Sequence, residues 1–127
     1  MQINHDHILS SEVIDCLMET ANLDYTTRES IAQSECLYVR ENGVIIFALA
    51  FEVYNCPHGK ELQVTGINGT RAKGFHWVQI ALEKLETICA ENEISRLTLM
   101  VESKRIRQLL DRMGKFMPMA TMMGRIF

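Results

Sequence analysis

The sequence predicts an α/β (α+β) fold in which a mixed central sheet carries helices on both faces. Three observations support this. An Asn42-Gly43 pair separates two β-prone runs, which is the strongest short-range signal of a hairpin. The run 44–54 is almost continuously apolar, as expected for a central strand covered on both faces. Strands near Leu62 and at 96–102 flank a long helix, and this order predicts parallel strands joined by a right-handed crossover.

The other elements of the first half follow from local patterns. The first residues, MQIN, predict a short strand or an extended arm. Ser10 or Ser11 is a suitable N-cap for a first helix. That helix has apolar residues at helical spacing: Val13, Ile14, Leu17, Met18 and Ala21. A weaker helix is predicted over 27–34, and residues 36–40 predict the strand before the hairpin.

In the second half, the helix after Gly74 carries an apolar stripe at 3.6-residue spacing: Val78, Ala81, Leu82, Leu85, Ile88 and Cys89. A last helix is predicted over 103–113 with four inward residues: Ile106, Leu109, Leu110 and Met113. Gly114 is the expected C′ residue, and a final strand is predicted over 119–127. The order βααβββαβαβ contains no repeat or linker, so residues 1–127 are expected to form a single domain.

Composition restricts the classes of function. The chain has 127 residues, of which 47% are hydrophobic and 23% charged, the range of an ordinary globular protein. Its net charge of −3 argues against broad nucleic-acid binding, which relies on a basic face. No apolar run approaches the roughly 20 residues that span a bilayer, so no membrane partner is expected. Four cysteines without CxxC spacing, and a first segment unlike a secretory signal, predict reduced thiols in a cytoplasmic protein.

Residues 61–90 combine a strand, a glycine-containing turn and the start of the long helix. The free N–H groups of a first helical turn, together with the positive end of the helix dipole, favour an anion. Arg71 and Lys73 lie beside this turn. The same pattern is explained by a turn in which Gly74 eases packing and both cations are solvated. A bound phosphate and a simple connection are therefore both open at this point.

Residues 71–74 (RAKG) resemble the first four positions of the Q/R-x-x-G-x-G/A pyrophosphate signature of the GNAT superfamily of acyl-CoA N-acyltransferases. The order of elements resembles that family along nearly the whole chain, and residues 103–116 resemble its N-x-x-A-x-x-L-Y-x-x-x-G-F segment. The chain differs from the family at His76, where the signature has a small residue, and at Ser103, where the family has asparagine. Leu110 stands where the family has its tyrosine general acid, and the family's seventh strand is expected to be absent.

The resemblance implies a site for acetyl-CoA. The backbone amides at the start of the long helix would bind the CoA pyrophosphate: Arg71, Ala72, Lys73, Gly74, Phe75 and His76. The strand backbone at Val64, Thr65 and Gly66 would pair with the pantetheine arm, and Ser103 would contribute from the last helix. That pairing relies on a splay between the fourth and fifth strands, here 62–65 and 97–101, and Gly66 would permit a bulge.

The implied activity is transfer of an acetyl or other acyl group from CoA to an amine by direct attack on the thioester. The backbone of residues 62–66 would polarise the carbonyl. With Leu110 in place of the acid, the thiolate would leave unprotonated or take a proton from water. Glu52 and Glu61 are candidates for the general base, although solvated strand ends explain both glutamates. The sequence assigns neither a catalytic residue nor the acceptor amine.

A second hypothesis is a non-catalytic GNAT-fold module that binds a protein or builds an assembly, for example a component of a virus particle. The departures from the family pattern motivate it. So does a methionine-rich tail, which suits either a protein contact or core filling: Met117, Met119, Met122 and Met123. An open last strand could also pair with a second copy, so a homo-oligomer is compatible with the sequence.

Other patterns carry weaker signals. The His5-x-His7 and Cys56-x-His58 pairs each place two metal-binding side chains on one side of an extended segment, but zinc requires more ligands that converge. Surface histidines are the simpler interpretation, and no metal site is predicted. A basic run at the start of the last helix would contact the CoA 3′-phosphate or an acidic partner, or remain solvated: Lys104, Arg105 and Arg107.

Overall fold

The computed structural model describes residues 2–19, 28–57, 59–69, 76–100 and 104–119. The described elements, in chain order, are β1 (Ile3–Asp6), α1 (Ser11–Met18), α2 (Arg28–Ala32), β2 (Glu35–Glu41), β3 (Val44–Cys56), β4 (Gly59–Asn68), α3 (His76–Glu91), β5 (Ile94–Leu99) and α4 (Lys104–Met113). The strands form one sheet in the order β1-β2-β3-β4-β5. Neighbours are antiparallel up to β4, and β5 is parallel to β4. The predicted fold class, meander and parallel crossover pair are confirmed.

Local signals place several element ends correctly. Asn42 and Gly43 form the β2–β3 turn with φ values of 51° and 79°, the left-handed pair that a type I′ turn requires. Ser10 caps α1, and its hydroxyl accepts a hydrogen bond from the backbone N–H of Val13 at 3.3 Å. Gly114 has a φ of 69° and its N–H closes the last turn of α4.

The core lies on both faces of β3, whose residues 45–51 are all buried. One face packs against α3 and α4 through a cluster that includes Leu37, Phe47, Leu49, Phe51, Leu62, Val78, Leu82, Leu85, Leu109 and Leu110. The other face packs against α1 and α2 through Val13, Ile14, Leu17, Ile31, Cys36, Ile45, Ala48 and Ala50. Burial on two faces explains why β3 is almost continuously apolar instead of alternating.

Some boundaries differ from those predicted. α2 is shorter than the predicted 27–34, and β5 begins and ends before the predicted 96–102. β3 continues two residues beyond 54, because β4 extends the antiparallel ladder that it joins. Strand ends depend on pairing partners more than on local propensity. The predicted final strand lies outside the described residues except for Met119, which is not in a strand.

Two further predictions concern the cysteines and the methionine-rich tail. All four cysteines are free in the structure. Met117 and Met119 are exposed, so core filling does not explain this part of the methionine-rich tail. None of the four described helices combines the length and apolar character that crossing a bilayer requires.

Candidate active site

β4 contains a β-bulge at Thr65. Ala50 of β3 pairs with Gly66, whereas the following residue of β3 pairs with Val64, so Thr65 has no counterpart on β3. Such an extra residue bends its strand and redirects the neighbouring side chains. The Thr65 hydroxyl lies 2.7 Å from the hydroxyl of Ser34, a residue that is only 1% exposed. A hydrogen bond between side chains therefore ties the bulge to the segment that leads into β2.

The bulge does not depend on the conformational freedom of glycine. The sequence indicated only that Gly66 would permit a bulge; the bulge lies beside Gly66, and its extra residue is Thr65. Gly66 has no left-handed φ. A Cβ at Gly66 would meet Leu17 and Ile31 at 3.6 and 3.8 Å, which are ordinary contact distances. Gly66 therefore lies where α1 and α2 pack on the sheet. The bulge results from the shift in pairing register between β3 and β4.

The described pairing of β4 with β5 ends directly before the bulge residue. Within the described residues, the last pair of their parallel ladder joins Val64 to Leu99, while β4 itself continues to Asn68. A splay was expected between these two strands, which were predicted at 62–65 and 97–101, without a stated position. The ladder joins the first part of both ranges, and residue 101 lies outside the described residues. In the described part of the chain, the pairing of β4 with β5 therefore ends at the residue before the bulge.

The end of β4 is anchored by the buried side chain of Asn68. Its amide N–H₂ donates to the backbone carbonyl of Cys16 at 2.7 Å and to the Glu19 carboxylate at 3.2 Å. The Cys16 carbonyl, which also accepts from the backbone N–H of Glu19 at 3.3 Å, lies in the last turn of α1, so this contact joins β4 to the end of that helix. Sequence analysis missed Asn68. The available signal was a polar residue with low strand propensity beside an apolar strand.

A groove of about 370 Å³ lies between the first turns of α3 and the second half of α4, and it is lined by His76, Gln79, Leu109, Arg112 and Met113. His76 is the exposed first residue of α3, and its ring contacts Trp77 edge-on. The positive end of the α3 dipole therefore lies beside Arg112, an arrangement that favours an anion. Arg112 was not singled out in the sequence.

The structure therefore describes only some of the predicted cofactor-binding residues. Val64, Thr65 and Gly66 lie together at the bulge, and His76 lies in the α3–α4 groove. The others lie outside the described residues: Arg71, Ala72, Lys73, Gly74, Phe75 and Ser103. The basic run at the start of α4 is exposed: Lys104, Arg105 and Arg107.

Glu52 and Tyr54 form a hydrogen-bonded pair on β3, in which the Tyr54 hydroxyl donates to the Glu52 carboxylate. This bond and, to a lesser degree, burial raise the pKa of Tyr54 to about 12, because removal of the proton would place two negative charges side by side. Side chains two residues apart on a strand share a face. Glu52 therefore shares a face with Ala50, the partner of Gly66, at about 7 Å along the strand.

Glu61, the other candidate for the general base, and Leu110, which stands in place of the acid, are placed differently. Glu61 forms an ion pair with Arg96 at 3.6 Å, which holds this carboxylate at the sheet surface. Leu110 is 6% exposed and belongs to the core cluster between the sheet and α4. The position where the resemblance implies a tyrosine acid therefore holds an apolar side chain that packs in the core.

Three solved structures share this architecture over nearly their whole length. The ribosomal-protein-alanine N-acetyltransferase of Brucella melitensis biovar Abortus 2308 has a TM-score of 0.72 at 17% identity, covering 99% of this chain and 100% of that chain. The glucosamine-6-phosphate N-acetyltransferase of Arabidopsis thaliana has a TM-score of 0.71 at 14% identity, covering 100% and 99%. A predicted acetyltransferase from Clostridium acetobutylicum, solved with acetyl-CoA, has a TM-score of 0.71 at 14% identity, covering 98% and 96%. The chain has the GNAT fold.

The resemblance noted in the sequence is thus confirmed at the level of the fold. No protein-family model and no curated protein sequence matches the chain. The GNAT fold is recognisable here from the order of the elements and from the parallel β4–β5 pair that follows the meander. The amino-acid sequence of the chain is too divergent to match a family model or a curated protein sequence.

Proposed function

We propose that this GNAT-fold protein binds acetyl-CoA or a related acyl-CoA and transfers the acyl group to an amine. The observation that carries the proposal is the bulge at Thr65, located where β4 parts from β5. It occurs in a fold shared with two proteins named as N-acetyltransferases and with a predicted acetyltransferase solved with acetyl-CoA. The non-catalytic alternative gains no support from these three neighbours.

In this proposal, the acyl-CoA enters between the diverging strands. The backbone of Thr65 and Gly66 pairs with the amides of the pantetheine arm, and a backbone N–H at the bulge polarises the thioester carbonyl. The phosphates lie at the start of α3, where residues 71–75 precede His76 and Arg112 lines the adjacent groove. The positive end of the helix dipole and the cation both stabilise phosphate there.

The chemical step follows from the groups near the bulge. The amine lone pair attacks the thioester carbon, the C–S bond breaks, and the thiolate leaves. Glu52 takes the ammonium proton directly or through one water, since it lies about 7 Å along β3 from the level of Gly66. Tyr54 orients this carboxylate. Because Leu110 has no proton to donate, the thiolate takes its proton from water.

Calorimetric titration with acetyl-CoA and with CoA tests binding. Gly74→Glu places a negative charge at the phosphate position that the resemblance implies, and binding should be lost. Thr87→Glu adds the same charge on an exposed face of α3, eleven residues from His76, and should leave binding intact. No heat with wild-type protein at high micromolar acetyl-CoA would overturn the proposal and favour a non-catalytic module.

Release of the CoA thiol in the presence of a panel of amines then tests transfer. Glu52→Gln should lower kcat by on the order of 10²-fold, because a positioned general base contributes about that much. The KM for acetyl-CoA should change little, since Glu52 lies on the acceptor side in this proposal. An unchanged kcat would remove Glu52 from the mechanism while leaving the acyl-CoA site standing.

A further inference from the structure

We infer a second site on this protein, a divalent transition-metal site formed by His5, His7 and Glu35, with zinc as its first candidate. One potential ligand atom from each of the three side chains lies within 4.8 Å of the other two. Glu35 Oε1 is 3.1 Å from His5 Nε2 and 2.6 Å from His7 Nδ1. A single carboxylate oxygen therefore already joins two imidazole nitrogens.

The strand register explains why these three side chains converge. His5 pairs with Leu37 in the antiparallel β1–β2 ladder. Glu35 lies two residues before Leu37, and His7 lies two residues after His5. Because strand side chains alternate between faces, all three project on the same side of the sheet.

The intervening residues project on the opposite side. Asp6 hydrogen-bonds the Tyr38 hydroxyl and raises its pKa, after the larger effect of burial. Cys36 pairs with Asp6 in the ladder and is buried against α1 and α2, so its thiol lies on the face away from the two histidines and Glu35. The set is therefore two imidazoles and one carboxylate.

This ligand set suits zinc and its neighbours in the first transition row. A tetrahedral ion with bonds of about 2.1 Å places its ligand atoms about 3.4 Å apart. The present separations, from 2.6 to at most 4.8 Å, lie on both sides of that value, so side-chain rotation is enough to admit the ion. The fourth position would hold water.

The surroundings of the three side chains differ in a way that suits a metal site. The His5 ring packs against Phe51 at 5.6 Å, which restricts its orientation. The side chains of His5 and Glu35 are 26% and 30% exposed, whereas that of His7 is 80% exposed and gives solvent access. His5 and Glu35 are therefore held in position on the paired strands, and the more exposed His7 would complete the site from the solvent side.

This site is separate from the proposed acyl-CoA site. β1 and β4 are three positions apart in the sheet, a distance of about 14 Å. The site lies between β1 and the start of β2, which are 30 residues apart in the chain. An ion that binds only the folded chain stabilises the folded state. The expected role of the ion is therefore to stabilise the pairing of β1 with β2.

Titration of metal-free protein with zinc chloride tests the inference. One equivalent should bind with a Kd of 10 μM or below, and the melting temperature should rise with zinc concentration. His7→Ala and Glu35→Gln should each weaken binding at least tenfold; His7 is mostly exposed, so its loss leaves the core intact. His76→Ala, which removes an exposed histidine outside this site, should leave the zinc affinity unchanged.

Cobalt chloride separates this site from adventitious binding by thiols, for example at the exposed Cys56. Intense visible absorption without a thiolate charge-transfer band is the expected spectrum. A thiolate band that disappears in Cys56→Ser, or zinc binding unchanged in His7→Ala and Glu35→Gln, would show that the ion binds elsewhere and overturn the inference. So would the absence of zinc binding at 100 μM.

Discussion

The hydroxyl groups of Thr65 and Ser34 lie 2.7 Å apart, although 31 residues separate them in the chain. Thr65 is the extra residue of the β4 bulge, and Ser34 is almost fully buried before β2. The contact therefore links the position where β4 leaves β5 to the helical layer on one face. A substitution at Ser34 should therefore alter the position of Thr65 in the bulge, which is where the thioester is proposed to lie.

Thr65→Val keeps the β-branched shape but removes the hydroxyl. We expect it to lower the free energy of unfolding by about 1 kcal/mol, the usual value of such a hydrogen bond. Thr65→Ser should behave like the wild type. A double-mutant cycle with Ser34→Ala, measured by urea denaturation, should show a coupling of at least about 0.5 kcal/mol. Additive effects would mean that the two hydroxyls act independently.

Asn68→Leu removes the amide that reaches the end of α1 while keeping the branched shape and the number of heavy atoms of the side chain. The Cys16 carbonyl loses its 2.7 Å donor, so the free energy of unfolding should fall by about 1–3 kcal/mol. Asn55→Leu, at an exposed position on β3, should change it by less than about 0.5 kcal/mol. Equal losses in the two variants would contradict a specific role for Asn68.

Two glycines near the site provide a matched pair. Gly66→Ala adds a Cβ at ordinary contact distance from Leu17 and Ile31, whereas Gly69→Ala places it 3.3 Å from Cδ2 of Phe47, a fully buried ring. Gly66→Ala should therefore be tolerated within about 0.5 kcal/mol, and Gly69→Ala should be destabilising by about 1–3 kcal/mol. The melting temperatures of both variants test the order, and the reverse order would contradict the packing described for β4.

The Glu52–Tyr54 pair predicts a dependence on alkaline pH. The pKa of Tyr54 is raised from 10 to about 12, first by its hydrogen bond to Glu52 and then by burial. The folded state thus holds this proton more tightly than the unfolded state does. Its contribution to stability is complete below pH 10 and is lost as the pH rises through about 12.

Ultraviolet titration of the tyrosines measures this shift. The difference between wild type and Tyr54→Phe isolates the Tyr54 transition, which should lie near pH 12. In Glu52→Gln it should move toward pH 10, because the neighbouring negative charge is gone. If the Tyr54 transition stays near pH 12 in Glu52→Gln, the hydrogen bond to Glu52 is not what raises the pKa of Tyr54.

Local structure and fold class could be predicted from the sequence because their signals lie within a few residues. Asn42 and Gly43 supply the left-handed conformations of the hairpin turn, Ser10 supplies the cap of α1, and Gly114 ends α4. The periods of the apolar residues determine which faces are buried, and the order of elements then restricts the topology. The GNAT resemblance rests on this order together with residues 71–74.

Contacts between distant segments could not be predicted in the same way. The bulge at Thr65, the anchor at Asn68 and the groove beside Arg112 each depend on which residues pair across strands or pack between helices. His5 and His7 were visible as a pair in the sequence, but only the β1–β2 register brings Glu35 to them.

The sequence by itself thus determined the elements, their order and the two-sided burial of β3, because turn chemistry and apolar periodicity are local properties of the chain. Only the tertiary structure decided where β4 leaves β5 and which side chains meet there. The physical reason is that a shift of one residue in strand pairing turns side chains to the other face at little local cost. The packing of α1 and α2 on one side and of α3 and α4 on the other selects the register.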